Sequence, residues 1–180
     1  MRKKAYLFVF VGFFILATAG GVRALNLYSQ QRALALAFPD VQRLEKETHI
    51  LSADQVAEIQ RLSRSRVESR LVTLHRAWRE EELLGTANID VHRVRTHDEA
   101  LMVVLGPTGR VLRVQVLSFA EPLEYMPSAR WYELFVGKGK EDSLRVGHDI
   151  DAVSGATLTT RATADAVRRT LAFHRVLQGG

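Results

Sequence analysis

The chain has 180 residues, no cysteine, 47% apolar and 25% charged residues, and a formal net charge of +5. Without cysteine it can hold no disulfide, cysteine-ligated zinc, iron–sulfur cluster or C-x-x-C-H haem attachment, so any redox chemistry needs a cofactor not bound through thiols. Arg2, Lys3, Lys4 and Arg23 flank a single N-terminal apolar run, and the other 21 basic and 20 acidic residues nearly cancel. The high isoelectric point therefore gives no nucleic-acid reading, which requires a clustered cationic face.

Residues 1–23 combine a basic start, an uncharged run over 5–22 and a closing Arg23. Eighteen residues reach the short end of what spans a hydrocarbon core as a helix. The positive charges ahead of the run keep the N-terminus in the cytoplasm and export the rest. A cleavable signal peptide is the competing reading, with Ala17-Thr18-Ala19 as its small-residue site. We expect an uncleaved anchor, because apolar and helix-compatible residues continue past Ala19. Both readings place the body outside the cytoplasm: on the periplasmic or extracellular side of an inner membrane as a single-pass protein, or free in the periplasm after cleavage.

Residues 24–69 read as a helical connecting region. The segment 26–37 is helix-like and stops before Pro39, since proline disfavours helix in the residue preceding it. Ser52-Ala53-Asp54-Gln55 has the form of a capping box, and Val56, Ile59 and Leu62 follow at helical spacing. From residue 70 to 180 we expect the principal domain. Residues 71–74, 88–94 and 100–105 are candidate strands. Gly106-Pro107-Thr108-Gly109 is a turn, and 111–117 a strand alternating Leu112, Val114 and Val116 against Val111, Arg113 and Gln115. The run Glu80-Glu81-Glu82 reads as a solvated face. Residues 121–139 read as a structured loop with a short helix, and 158–177 as a closing helix. Interleaved strands and helices predict an α+β (mixed α/β) fold around one mostly antiparallel sheet flanked by helices, preceded by a transmembrane helix.

The stretch most informative for chemistry runs from Asp151 through Ser154, Gly155, Ala156 and Thr157 into that last helix. It is a turn of small, hydroxyl-bearing residues feeding a helix start, where unpaired N–H groups and the helix dipole suit a phosphate. Gly155 allows close backbone approach, Ala156 adds little bulk, and Thr157 presents a hydroxyl. The same residues also serve as an ordinary cap and turn. The six histidines have no metal-ligand spacing, and His92 and His97 are expected on the surface. There is no G-x-G-x-x-G for a nicotinamide cofactor and no Ser/His/Asp order specific to a hydrolase.

Asp151-x-x-Ser154-Gly155-Ala156-Thr157 resembles the flavinylation motif of FMN-binding domains in Rnf-type electron-transfer complexes and the sodium-pumping NADH:quinone reductase. The resemblance extends in order through the Gly109 turn and its strand, Glu121-Pro122, Trp131 to Phe135, and Gly137-Lys138. The Glu121-Pro122-Leu123 segment departs from it, lacking the intervening Thr and the following Gly. The resemblance implies a single FMN-binding domain with FMN joined by a phosphoester to Thr157, derived from FAD by a flavin transferase. Thr159 and Thr160 are the neighbouring rivals for that bond. Asp151 helps define the transferase target, and Ser154, Gly155, Ala156, Glu121, Trp131 and Lys138 fall at the expected cofactor site. The residues by themselves leave Trp131 and Phe135 as core packing and Lys138 as a solvated charge.

The function expected is that of a membrane-anchored, extracytoplasmic electron carrier or redox-complex subunit, rather than a stand-alone enzyme. Its partners would be the flavin transferase and a quinone-linked, iron–sulfur or cytochrome protein of the membrane, with lipid around the N-terminal helix and no nucleic acid. The alternatives are an anchored interaction or sensor domain of the same fold, and a flavin-dependent reductase of a small extracytoplasmic acceptor.

Overall fold

The computed structural model describes residues 25–178. The anchor expected over 1–23 lies outside them, and among the described residues no helix is long and apolar enough to cross a membrane. The elements in chain order are β1 (Leu25–Asn26), α1 (Gln30–Ala37), β2 (Arg43–Ile50), α2 (Ala53–Ser63), β3 (Leu71–Arg79), β4 (Glu82–Arg93), β5 (Asp98–Leu105), β6 (Val111–Phe119), α3 (Ala129–Tyr132) and α4 (Thr157–Gln178). Short 3-10 turns flank α3 at Leu123–Tyr125 and Glu133–Phe135.

Six antiparallel strands form one sheet in the order β1-β6-β5-β4-β3-β2. The fold is thus α+β, as expected. Residues 24–69, however, are not a helical connector. β2 pairs along its whole length with β3, and β1 closes the opposite edge against β6. The helix read over 26–37 begins only at Gln30, because the preceding residues are extended along β6 and Ser29 caps the helix by accepting from Arg32 N–H.

The two sheet faces are covered differently. On one, α1 sets Ala33, Leu34 and Phe38 against Ala77, Ala87, Met102, Val104 and Leu117. On the other, α4 and the segment after β6 bury Leu101, Val103, Leu105, Val111, Val114, Val116 and Phe119 with Trp131, Phe135, Val167 and Leu171. β5 reads as a continuous apolar run because alternate residues are buried on both faces. α2 packs its Ile59 near Val72, Leu74 and Phe173. Its capping box is present, with Gln55 N–H donating to Ser52 Oγ at 3.1 Å and Ser52 N–H to Gln55 Oε1 at 2.9 Å.

β6 departs from strict alternation. Its register against β5 shifts twice, leaving Leu112 and Leu117 as extra residues. Each bulge reverses which residues face inward. Val111, Val114, Val116 and Phe119 therefore share the α4 face, Leu112 is exposed, and Leu117 turns toward α1. The Glu80-Glu81-Glu82 run is a tight hairpin turn. Glu80 is in the left-handed region, and Glu82 is already paired with Arg79.

Gly85 lies where β4 bends past a register shift, and a Cβ there would stand 2.5 Å from the Leu105 carbonyl oxygen and 3.0 Å from Phe38. We predict that Gly85→Ala destabilises the domain by about 1–3 kcal/mol, the usual cost of overpacking. A lower urea midpoint with unchanged m-value is the expected measurement.

Candidate functional site

Helix α4 begins at Thr157 directly after Ala156, whose carbonyl accepts from Thr160 N–H at 2.9 Å. Alanine at this capping position has no oxygen to offer the first turn, so the N–H groups of Thr157, Leu158 and Thr159 are left for another acceptor. Gly155 turns the chain into the helix with φ +80°, and a Cβ there would meet open space within 4 Å. Thr157 and Ser154 are exposed, whereas Thr159 and Thr160 are 1% and 0% exposed. Thr160 Oγ1 is engaged with the Thr157 carbonyl at 3.0 Å, and Thr159 Oγ1 is buried without a partner. Of the three neighbouring threonines, only Thr157 offers its side chain to solvent.

A cleft of about 170 Å³ opens beside this helix start, lined by Val94, Arg95, Glu121, Tyr125, Gly155, Ala156, Thr157, Leu158 and Thr159. The fold thus brings Glu121 together with Gly155, Ala156 and Thr157 across more than 30 residues of chain. Glu121 is 5% exposed, and its Oε1 accepts from the backbone N–H groups of His97, Thr96 and Arg95 at 2.8, 2.6 and 3.1 Å. Burial works to raise its pKa, but the three backbone donors prevail and hold it at about 2. The carboxylate is a fixed anion that ties the β4–β5 turn into the cleft wall.

The remaining expected site residues fall around the cleft or away from it. Trp131 is 6% exposed, stacked edge-on to Tyr132 and Phe135, and its Nε1–H donates to the Asp151 carbonyl at 2.7 Å. It is a core residue that holds the motif loop by its backbone, and does not line the cleft. Asp151 and Ser154 are exposed on that loop. Lys138 is outside the cleft, with Nζ 3.5 Å from Asp142 Oδ1. Asp149 gathers the loop from within, accepting from Ser143 Oγ at 2.8 Å and from the backbone N–H groups of Leu144 and Arg145.

Sequence reasoning missed a buried charge chain that fixes α4. Arg169 donates to both oxygens of Asp90 at 2.9 and 2.7 Å. Asp90 Oδ1 also contacts His92 Nδ1 at 2.9 Å, and His92 Nε2 lies 3.1 Å from Glu99 Oε2. His92 is 9% exposed and Glu99 0%, so the expectation of a surface His92 is corrected. The available signal was Asp90-x-His92 on one face of β4 with Glu99 facing it across the hairpin. Larger clefts of about 430 and 520 Å³ lie at the Gly109 turn and beside Arg169, but neither includes the motif residues. Among the described residues, no group of three or more His, Asp and Glu side chains is placed to hold a metal ion.

Residues 97–172 match the family model of the FMN-binding domain. The match starts in the β4–β5 turn and ends within α4, so β1 to β4 lie outside it while sharing the sheet. No curated protein matches the chain. The residues present fit the phosphate end of FMN: an uncapped helix start, a glycine with free space beside it and an exposed hydroxyl.

The charge chain has a pH signature. Burial lowers the pKa of His92, but its bonds to Asp90 and Glu99 outweigh burial and raise it to about 9. A raised histidine pKa stabilises the fold fully below the unfolded value of roughly 6.5, and the contribution is lost as pH rises through about 9. We predict that stability to urea falls between these limits. His92→Ala is expected to lose roughly 3–5 kcal/mol at neutral pH, as for removal of one member of a buried ion pair, and to flatten that fall.

Proposed function

We propose that this protein is a membrane-anchored, extracytoplasmic electron carrier whose FMN is joined through its phosphate to Thr157. The observation that carries the reading is the contrast among neighbouring threonines: Thr157 is exposed on an uncapped helix turn, whereas Thr159 and Thr160 are buried. When bound, FMN supplies reversible electron transfer, and the protein supplies attachment and surroundings. The N–H groups of Thr157, Leu158 and Thr159 would hold the phosphate oxygens, Gly155 would allow the backbone close approach, and Val94, Tyr125 and Leu158 would form the wall beyond. Covalent attachment suits a compartment in which lost FMN is not readily replaced, and it requires a flavin transferase as maturation partner.

Cleft size favours a carrier over a self-sufficient reductase. At about 170 Å³ it falls below the roughly 300 Å³ at which enclosed small-molecule sites begin. A flavin nucleotide attached there stays partly outside, open to a redox partner such as a quinone-linked, iron–sulfur or cytochrome protein. Glu121, the only carboxyl among the lining residues, is held ionised and gives no proton near neutral pH.

The test is in-gel flavin fluorescence after denaturing electrophoresis, with the chain co-expressed with a flavin transferase. The wild type and Ser154→Ala are expected to give fluorescent bands, and Thr157→Val a dark one with unchanged circular dichroism. A dark wild-type band would refute covalent attachment, and fluorescence surviving in Thr157→Val would move the bond to another hydroxyl.

A further inference from the structure

β1 runs antiparallel to β6, with Leu25 opposite Phe119 and Asn26 opposite Ser118. Moving upstream along β1 therefore means moving downstream along β6, toward Ala120 and Glu121. The N–H groups of Leu27 and Tyr28 both donate to the Leu117 carbonyl, at 2.9 and 3.1 Å, which pins the start of the described chain in this direction. Glu121 lines the cleft with Thr157. The chain thus enters the fold at the cleft end of the sheet. The far end is the Gly109 turn, where His174 packs close to Gly109 near the end of α4. Along α4, Thr157 and His174 lie 17 residues apart, about 26 Å of helix.

The uncharged run 5–22 stops three residues before Leu25. Three residues reach at most about 11 Å even when fully extended. Each headgroup layer of a bilayer is about 5–8 Å thick. A span ending at Val22 therefore leaves no linker with which the domain could turn its other end to the membrane. The cleft end also presents apolar side chains to solvent. Leu158, which lines the cleft, is 50% exposed, and Leu123, between the lining residues Glu121 and Tyr125, is 55% exposed. Leu25 and Leu27 are each 38% exposed at the same end.

Taking the anchor of the proposed function as given, we infer that the domain docks on the lipid surface through this end, with Leu123 and Leu158 at the headgroup level and the cleft facing the bilayer. Partners then reach the cleft from the membrane side, and Lys140 and Arg175, which line the cleft at the Gly109 turn, face away from it.

The absence of cysteine makes the test direct. Leu123→Cys, Leu158→Cys and Lys140→Cys in the full chain are labelled with an environment-sensitive fluorophore. Each is reconstituted in phosphatidylcholine–phosphatidylglycerol vesicles with or without lipid carrying a shallow nitroxide quencher. Labels at 123 and 158 are expected to shift to the blue and lose at least half their emission with the quencher, and the label at 140 to change little. Alkaline carbonate extraction of the same vesicles separates the two ideas. A chain stripped from the membrane overturns the anchor and the docking together. A chain that stays while labels 123 and 158 remain unquenched, or are quenched no more than label 140, overturns the docking alone and leaves the carrier reading intact.

Discussion

The architecture depends on one buried guanidinium. Arg169, 9% exposed on the sheet side of α4, could not leave water without a partner, since an isolated buried charge costs far more than a helix packing contact returns. Asp90 on β4 meets it with both oxygens, and His92 lies between Asp90 and Glu99. Asp90 thus links Arg169 to His92, and His92 links Asp90 to Glu99. Adjacent residues of α4 add direction. Arg168 donates to the carbonyls of Ser63 and Leu144, and Thr170 accepts from Asn88 Nδ2. Apolar packing alone would tolerate a sliding helix. These directional bonds to β4, the end of α2 and the motif-side loop allow one register, and that register sets where Thr157 lies.

The cleft follows from it. Its walls come from the β4–β5 turn, the segment after β6, the loop before α4 and the first turn of α4 itself. Two side chains fasten them. Glu121 draws three N–H groups of the turn onto a single oxygen, and the Trp131 indole holds the Asp151 carbonyl. Both were singled out by resemblance as cofactor-site residues. Their bonds here go to protein backbone, which makes them builders of the site's walls.

Features encoded locally were legible in the sequence. The Ser52–Gln55 capping box, the Gly106–Gly109 turn and the small-residue approach to α4 each depend on a few adjacent residues, and each stands where it was read. What was not legible depends on partners distant in sequence. β2 is an edge strand rich in charge, Arg-Leu-Glu-Lys-Glu-Thr-His-Ile, a composition that protects an edge from pairing with other chains and that hides its strand character. β1, two residues long, exists only because β6 is beside it. The bulges at Leu112 and Leu117 break the alternation on which strand reading rests. His92, Glu99 and Arg169 look like surface charges until the strands that pair them are known.

The position and shallowness of the cleft have a common origin. Beneath α4 the space against the sheet is filled by Leu101, Val103, Leu105, Val114, Val116, Phe119 and the ring pair Trp131 and Phe135, leaving no room for a ligand under the helix. The same helix is polar along part of its buried side, where Thr160, Arg169 and Thr170 hydrogen-bond within the fold. Only the helix's open N-terminus remains, where small residues keep the approach clear and the backbone itself provides the donors. A site of that kind holds a ligand by its anionic end and leaves the rest at the periphery. In the proposed carrier, retention would come from the bond to the Thr157 hydroxyl at the first helical residue rather than from enclosure.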